Sequence, residues 1–149
     1  MHINFPTTPI RIHVDGGANR SITNNITILN QFKQIKKYAM NGINSDSPAL
    51  YCTGQGLLPW KAPNSKTLFI NCYYSTYAMD TIISPTDIVI MELTDFNDWT
   101  QHSNIDTGRG YIKFHRREKA EPLTYPLYAT NGLWYTDTHA PSATTLQNT

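Results

Sequence analysis

Charge of either sign is scarce in this chain. Asp, Glu, Lys and Arg make up 15% of its 149 residues, and 12 Lys+Arg against 11 Asp+Glu leave a net charge of +1. A nucleic-acid-binding domain normally carries a basic stripe. The one candidate is Lys113-Phe114-His115-Arg116-Arg117-Glu118-Lys119. Runs that short are usually solvated strand ends or turns, so nucleic acid is not an expected partner. Cysteine is nearly missing. Cys52 and Cys72 make no disulfide framework and read as buried free thiols on strands. The histidines (His2, His13, His102, His115 and His139) are scattered, without ligand-type spacing to one another or to the cysteines. No metal site and no cofactor is expected. Long apolar runs are also lacking. None approaches the roughly 20 residues of a membrane-spanning helix, so no membrane partner is expected. The start, MHINFPTTPIR, has no apolar core of a signal peptide. The sequons Asn19-Arg20-Ser21 and Asn25-Ile26-Thr27 then read as chance matches, and a cytoplasmic or particle-internal protein fits.

What is present is an apolar fraction of 40%, in a chain of single-domain size that can bury a core. The pattern is mostly β. Ile10-Arg11-Ile12-His13-Val14 alternates as a half-buried strand does and ends at Asp15-Gly16-Gly17, where glycines permit a sharp turn. In the stretch 26–40, Ile28, Phe32, Ile35 and Ala39 recur at helical spacing, which predicts a partly helical segment closed by Asn41-Gly42. Residues 49–60 read as strand, glycine-rich bend at Gly54-Gln55-Gly56, and strand. Residues 67–74 form another strand, rich in aromatic and β-branched side chains. Two short strands follow at 81–84 and 88–91, split by Pro85. Residues 110–115 alternate again, and 125–136 reads as a hairpin through Asn131-Gly132. These signals predict an all-β domain, a small closed barrel with at most one or two short helices. It would span residues 9–136, between an N-terminal arm (1–8) and a disordered tail (137–149) rich in Ser, Thr, Pro and Asn.

Two Asp-x-Gly motifs follow apolar residues: Val14-Asp15-Gly16-Gly17-Ala18 and Ile105-Asp106-Thr107-Gly108. Aspartic-protease chemistry needs two carboxylates a few ångströms apart around one water, sharing a proton because like charges at that distance do not both ionise easily. Asp15 and Asp106 do not make such a pair within one chain, because the residues after Asp106 are too few to build a second lobe. Their flanks also differ. Asp15 ends an apolar strand and precedes small residues suited to a buried loop. Asp106 follows a polar stretch and precedes Gly108-Arg109-Gly110, which is turn chemistry. Asp15 alone is also compatible with an ordinary strand-to-turn aspartate.

The order of segments sharpens the choice. Val14-Asp15-Gly16-Gly17-Ala18, Gly54-Gln55-Gly56, residues 69–74, Thr81-Ile82-Ile83-Ser84, Gly110-Tyr111-Ile112-Lys113-Phe114 and Gly132-Leu133-Trp134-Tyr135 follow one another. In this order the chain resembles the protease region of copia-type LTR retrotransposon polyproteins, a retropepsin-like aspartic protease. The resemblance covers about residues 9 to 136 and rests on order and spacing rather than on any single motif. It implies a homodimer whose two Asp15 carboxylates activate a water, with Gly16, Gly17 and Ala18 as the active-site loop. It implies a polypeptide substrate, the parent polyprotein. Gly54, Gln55 and Gly56 would be a flap closing over an extended peptide, and Ile82 and Ile83 would wall its side-chain pockets. Read from the residues alone, the glycines also suit a plain β-bend, and the isoleucines suit a core. One position departs from the family: Gly16 stands where the family has Ser or Thr, whose hydroxyl bonds across the dimer.

Two rival readings belong to other classes. A protease-like fold without catalysis would act as a dimerisation or peptide-binding module, which Gly16 motivates. An RNA-binding barrel would use Trp60, Tyr73, Tyr74 and the basic run 113–119.

Overall fold

The computed structural model describes residues 10–40, 50–63, 66–91, 95–118 and 120–138. Ten strands run in chain order: β1 (Arg11–Val14), β2 (Ser21–Thr23), β3 (Asn30–Met40), β4 (Leu50–Lys61), β5 (Thr67–Tyr74), β6 (Ile82–Ile83), β7 (Phe96–Asn104), β8 (Arg109–Arg116), β9 (Leu123–Thr130) and β10 (Leu133–Asp137). A single 3-10 turn spans Ile26–Ile28, and one α-helix, α1, spans Pro85–Met91.

The mainly-β reading holds, but the closed barrel does not. All ten strands form one sheet in the order β3-β4-β5-β2-β6-β1-β10-β9-β8-β7, open at both ends because β3 and β7 do not pair with each other. The sheet curls until its two wings share a core. Trp60 on β4 stacks on Tyr125 of β9 at 3.5 Å between ring centroids, and meets Phe114 of β8 edge-on at 5.9 Å. Around them Leu58, Ile70, Ile112, Leu123 and Leu127 are buried, together with Ile12, Val14 and Ile83 from the central strands. Cys52 and Cys72 are buried free thiols on β4 and β5, as the sequence predicts. A main-chain bond from Lys61 N–H to the Thr138 carbonyl (2.9 Å) ties the end of β4 to the chain just past β10.

The stretch 26–40 is not helical beyond its 3-10 turn. It is an edge strand, paired with β4 from Asn30↔Leu57 to Met40↔Leu50, with register shifts at Asn30/Lys33 and Gln34/Tyr38. Gln31 takes a φ of +53 there. Each irregularity resets the two-residue alternation. The apolar residues then fall three and four apart, which imitates a helix. The stretch 88–91 is likewise not a strand. Ser84 caps α1, its Oγ accepting from Asp87 N–H at 3.1 Å and its carbonyl from Ile88 N–H at 3.1 Å. Pro85 occupies the first helical turn, where its missing N–H costs nothing. Ser-Pro-Thr-Asp is thus a helix start, and it overrides the β preference of Ile88, Val89 and Ile90.

The bend expected at Gly54-Gln55-Gly56 is absent. These residues sit mid-strand in β4, hydrogen-bonded to β3 on one side and β5 on the other. Their glycines answer to packing: a Cβ on Gly54 would strike the Phe32 ring, and one on Gly56 would lie 2.9 Å from Leu29 Cβ. Residues 41–49, which join β3 to β4 and include the expected Asn41-Gly42 turn, lie outside the described residues, as does the arm 1–8.

β7, a strand the sequence reading leaves out, is a polar edge with only Phe96 buried on it. Its hairpin with β8 turns at 105–108. There Asn104 Oδ1 accepts from Asp106 N–H (3.0 Å) and Thr107 N–H (3.2 Å), and Gly108 takes a φ of +67. Asp106 is an exposed turn residue, as its flanks predict. The 125–136 hairpin also forms as expected, with Asn131 (φ +51) and Gly132 (φ +80) at its tip. Asp137 and Thr138, which the sequence reading assigns to the tail, belong to the fold, and the rest of that segment, 139–149, lies outside the described residues. Asp137 ends β10, and buried Thr138 exchanges bonds with Ile10: N–H to the Ile10 carbonyl at 2.9 Å, and Ile10 N–H to Thr138 Oγ1 at 3.0 Å.

Gly110 is the tightest point of the β7–β8 pair. A Cβ there would collide with the His102 carbonyl oxygen and lie 3.1 Å from Ser103 Cα. Backbone cannot swing aside as a side chain does, so Gly110→Ala is expected to destabilise the protein by about 1–3 kcal/mol. A thermal unfolding midpoint equal to the parent's would contradict this.

Candidate functional site

β1 delivers Asp15 to the middle of the sheet. β1 runs parallel to β6, with His13 opposite Ile82 and Val14 opposite Ile83, and antiparallel to β10. Asp15 N–H continues the pairing with a 3.1 Å bond to the Ile83 carbonyl. The chain then turns. Asp15 Oδ1 accepts from Gly17 N–H at 2.9 Å, and the Asp15 carbonyl from Ala18 N–H at 3.1 Å. One carboxylate oxygen thus organises the turn and the other is uncommitted to it.

The turn is also held from the α1 side. Ser84, fully buried, donates its Oγ to the Ala18 carbonyl at 2.6 Å, and its N–H to Ser21 Oγ at 3.0 Å. The capping serine of α1 therefore clasps the loop that carries Asp15. Two residues beyond Ala18, half-exposed Arg20 reaches across to Asp87, Nη1 to Oδ1 at 3.2 Å.

Burial pushes the Asp87 carboxyl above its ordinary 3.8, and Arg20 pulls it back only in part. A carboxyl with a higher pKa folded than unfolded takes up protons on folding. Its stabilising contribution is therefore fully present below pH 3.8 and is lost as pH rises through the folded value. Asp87→Asn has no such titration. Denaturant unfolding between about pH 3 and pH 7 is expected to show the variant gaining stability relative to the parent as pH rises. A relative stability that falls over that range would mean the Arg20 attraction outweighs the burial.

Asp15 lies in a cleft of about 490 Å³. Gly17, Ala18, Asn19 and Arg20 form its floor, Ile82, Thr86 and Ile90 one wall, and Tyr38, Met40 and Leu50 from the β3–β4 hairpin the other. Tyr38 is set by stacking on Tyr73, 5.4 Å between centroids with planes 17° apart. The cleft thus holds a carboxylate, a guanidinium and the polar groups of Asn19, Tyr38 and Thr86 beside the apolar side chains of Ile22, Met40, Leu50, Ile82 and Ile90. Asp15 is its one carboxylate among the described residues.

Several residues singled out in the sequence meet here: Asp15, Gly17, Ala18 and Ile82 line the cleft. Gly16 sits at the tip of the turn, exposed. Ile83 points the other way, into the core. Gly54, Gln55 and Gly56 are not among the lining residues. Sequence reading missed Arg20, Tyr38, Met40, Leu50, Thr86 and Ile90, which only the fold gathers. The capping pattern at 84–87 is the one local signal that would have placed Thr86 and Ile90 on a helix.

Of the aromatic residues that the RNA-binding reading would use, none stands free on the surface. Trp60 is fully buried, Tyr73 is covered by Tyr38, and Tyr74 packs edge-on to Phe32. In the basic run Phe114 is buried, and Lys119 lies outside the described residues. Among the described residues no three His, Cys, Asp or Glu side chains converge as metal ligands, and no helix is long and apolar enough to cross a membrane.

No protein-family model matches the chain, and neither does any curated protein or any solved structure.

Proposed function

We propose that the protein is a homodimeric aspartic endopeptidase that hydrolyses peptide bonds of its own retrotransposon-type polyprotein. One observation carries the reading: Asp15, at a tight turn braced from β6 and α1, faces a cleft whose opposite wall is apolar. The chemistry requires two carboxylates, and the cleft has one from this chain. A second copy related by a two-fold axis supplies the other. One carboxylate takes a proton from the water, whose oxygen attacks the scissile carbonyl carbon. The other, as the acid, protonates the carbonyl oxygen. Collapse of the tetrahedral intermediate breaks the C–N bond, and the amine leaves with a proton. Tyr38, Met40, Leu50, Ile82 and Ile90 offer apolar surface to substrate side chains, and no cofactor is needed. This reading places the protein in the cytoplasm, within virus-like particles.

The test is cleavage of a polyprotein-junction peptide across mildly acidic pH by the parent and by Asp15→Asn. Equal rates in the two would end the proposal.

Gly16 favours a second reading, a protease-like dimerisation or peptide-binding module without catalysis. A protein that dimerises and binds extended peptides at high concentration, yet cleaves none, would select it.

A further inference from the structure

Gly16 and Trp99 are far apart in sequence and in contact in the fold. A Cβ placed on Gly16 would lie 2.9 Å from Trp99 Cη2, 3.6 Å from Cζ2 and 3.8 Å from Cζ3. The benzo edge of the indole therefore rests on the bare backbone of Gly16. Trp99 is half-buried on β7, opposite Phe114, and packs against the main core. Its Nε1–H donates to Thr86 Oγ1 on α1 at 3.3 Å, and Thr86 lines the same cleft as Asp15.

We infer that Trp99 is a positioning residue for the Asp15 loop, an assignment that rests on the proteolytic reading. The loop is bonded from one side only: Asp15 N–H to Ile83, and the Ala18 carbonyl to Ser84. Its tip, Gly16-Gly17, has no side chains with which to hold itself. Two consecutive glycines are the most mobile backbone a chain can offer. The indole supplies the missing contact from the β7 side, and its N–H bond to Thr86 fixes the ring's angle. Glycine at 16 is therefore matched to tryptophan at 99. A side chain at 16 would push the ring off the loop and strain its bond to Thr86. The residue that departs from the copia-type pattern thus has a steric reason within its own chain.

The experiment uses the full chain and four variants: Trp99→Ala, Trp99→Phe, Gly16→Ala and the double Gly16→Ala/Trp99→Ala. Loop order is read by ¹⁵N relaxation at the Gly16 and Gly17 amides. Trp99→Ala is expected to lower their order parameters from about 0.85 to below about 0.6, and Trp99→Phe to restore most of the loss. Peptide cleavage is the second readout. Misplacement by about 1 Å can cost roughly a hundredfold, so Trp99→Ala is expected to lower kcat by about ten- to a hundredfold with KM within about twofold. Gly16→Ala is expected to lower kcat too, and the double variant to lose less than the product of its single losses. Unchanged order parameters in Trp99→Ala, or losses that simply multiply in the double variant, would overturn the assignment. The two proposals separate cleanly. If the loop loosens in Trp99→Ala and the parent cleaves nothing, the proteolytic reading fails while the contact's role in ordering the loop stands. If the parent cleaves and the loop does not loosen, only the role of Trp99 fails.

Discussion

Asp15→Asn is expected to lower peptide cleavage by about a thousandfold or more while leaving the fold in place. General acid–base groups contribute roughly 10²–10⁴-fold each, and in the proposed mechanism one residue type provides both the base and the acid. Both copies change together in a homodimer, so neither role survives. Asparagine is the right substitution because its geometry is nearly that of aspartate. Its Oδ1 still accepts from Gly17 N–H, which bonds Asp15 Oδ1 at 2.9 Å in the parent. The main-chain bonds from Asp15 to Ile83 and Ala18 do not involve the side chain at all. The thermal midpoint should therefore move little, and the loss should appear in kcat. A variant that is inactive because it is unfolded would show both changes, and the midpoint distinguishes the cases. Cleavage within about tenfold of the parent would rule out Asp15 as the acid–base group.

Trp60→Ala is the second large effect and the opposite in kind. Trp60 is fully buried between the wings of the sheet, stacked on Tyr125 and edge-on to Phe114. Truncation leaves a cavity where the wings meet, and Trp→Ala in a core typically costs about 3–5 kcal/mol. Whole domains have only about 5–15 kcal/mol, so the variant is expected to sit close to its unfolding transition at ambient temperature. Trp60→Phe should cost less. It keeps a ring against Tyr125, and it removes the indole N–H, which is buried without a hydrogen-bond partner. The Tyr125 hydroxyl donates to the Trp60 carbonyl at 2.9 Å, a bond to main chain that either substitution leaves available. Urea unfolding of the three proteins checks the order. A Trp60→Ala loss under about 1 kcal/mol would mean the wings are held elsewhere, for instance by the Lys61–Thr138 main-chain link.

The two substitutions separate chemistry from architecture. Asp15 has an intermediate exposure, and its side chain is held by one hydrogen bond, to Gly17 N–H, which asparagine keeps. Trp60 does not line the cleft, yet the wing it anchors carries the β3–β4 wall of the cleft and the opposite wing carries Trp99.

How much was readable beforehand varies with how local the signal is. The alternation of 10–14 placed β1 and its buried face, because a strand's two-residue period is visible within the strand itself. The same holds for β8, while β5 was legible from its aromatic and β-branched residues, and the Asn131-Gly132 turn from its residue pair, both of which take the positive φ such turns need. The choice of Asp15 over Asp106 also came from flanking residues, and the Asp106 turn formed as its flanks predicted. α1 was legible but unread: Ser84, Pro85 and Asp87 spell a helix start, and β-favouring neighbours drowned it out.

The rest was decided only by the folded chain. β3 resembles a helix in one dimension because bulges shift its phase, and bulges exist only against a partner strand. β7 is polar because it is an edge, and being an edge is a property of the sheet, not of the segment. Whether the sheet closes depends on β3 meeting β7, the two ends of a ten-strand order no local pattern encodes. Sequence by itself determined β1, β5, β8, the β9–β10 hairpin with its Asn131-Gly132 turn, and the aspartate at a strand's end. Tertiary structure decided what surrounds that aspartate: Arg20 tied to Asp87, Tyr38 and Leu50 across the cleft, and an indole from β7 lying on Gly16. Period and turn chemistry act within about ten residues, whereas these contacts depend on strand order and sheet curvature, which the whole chain sets at once.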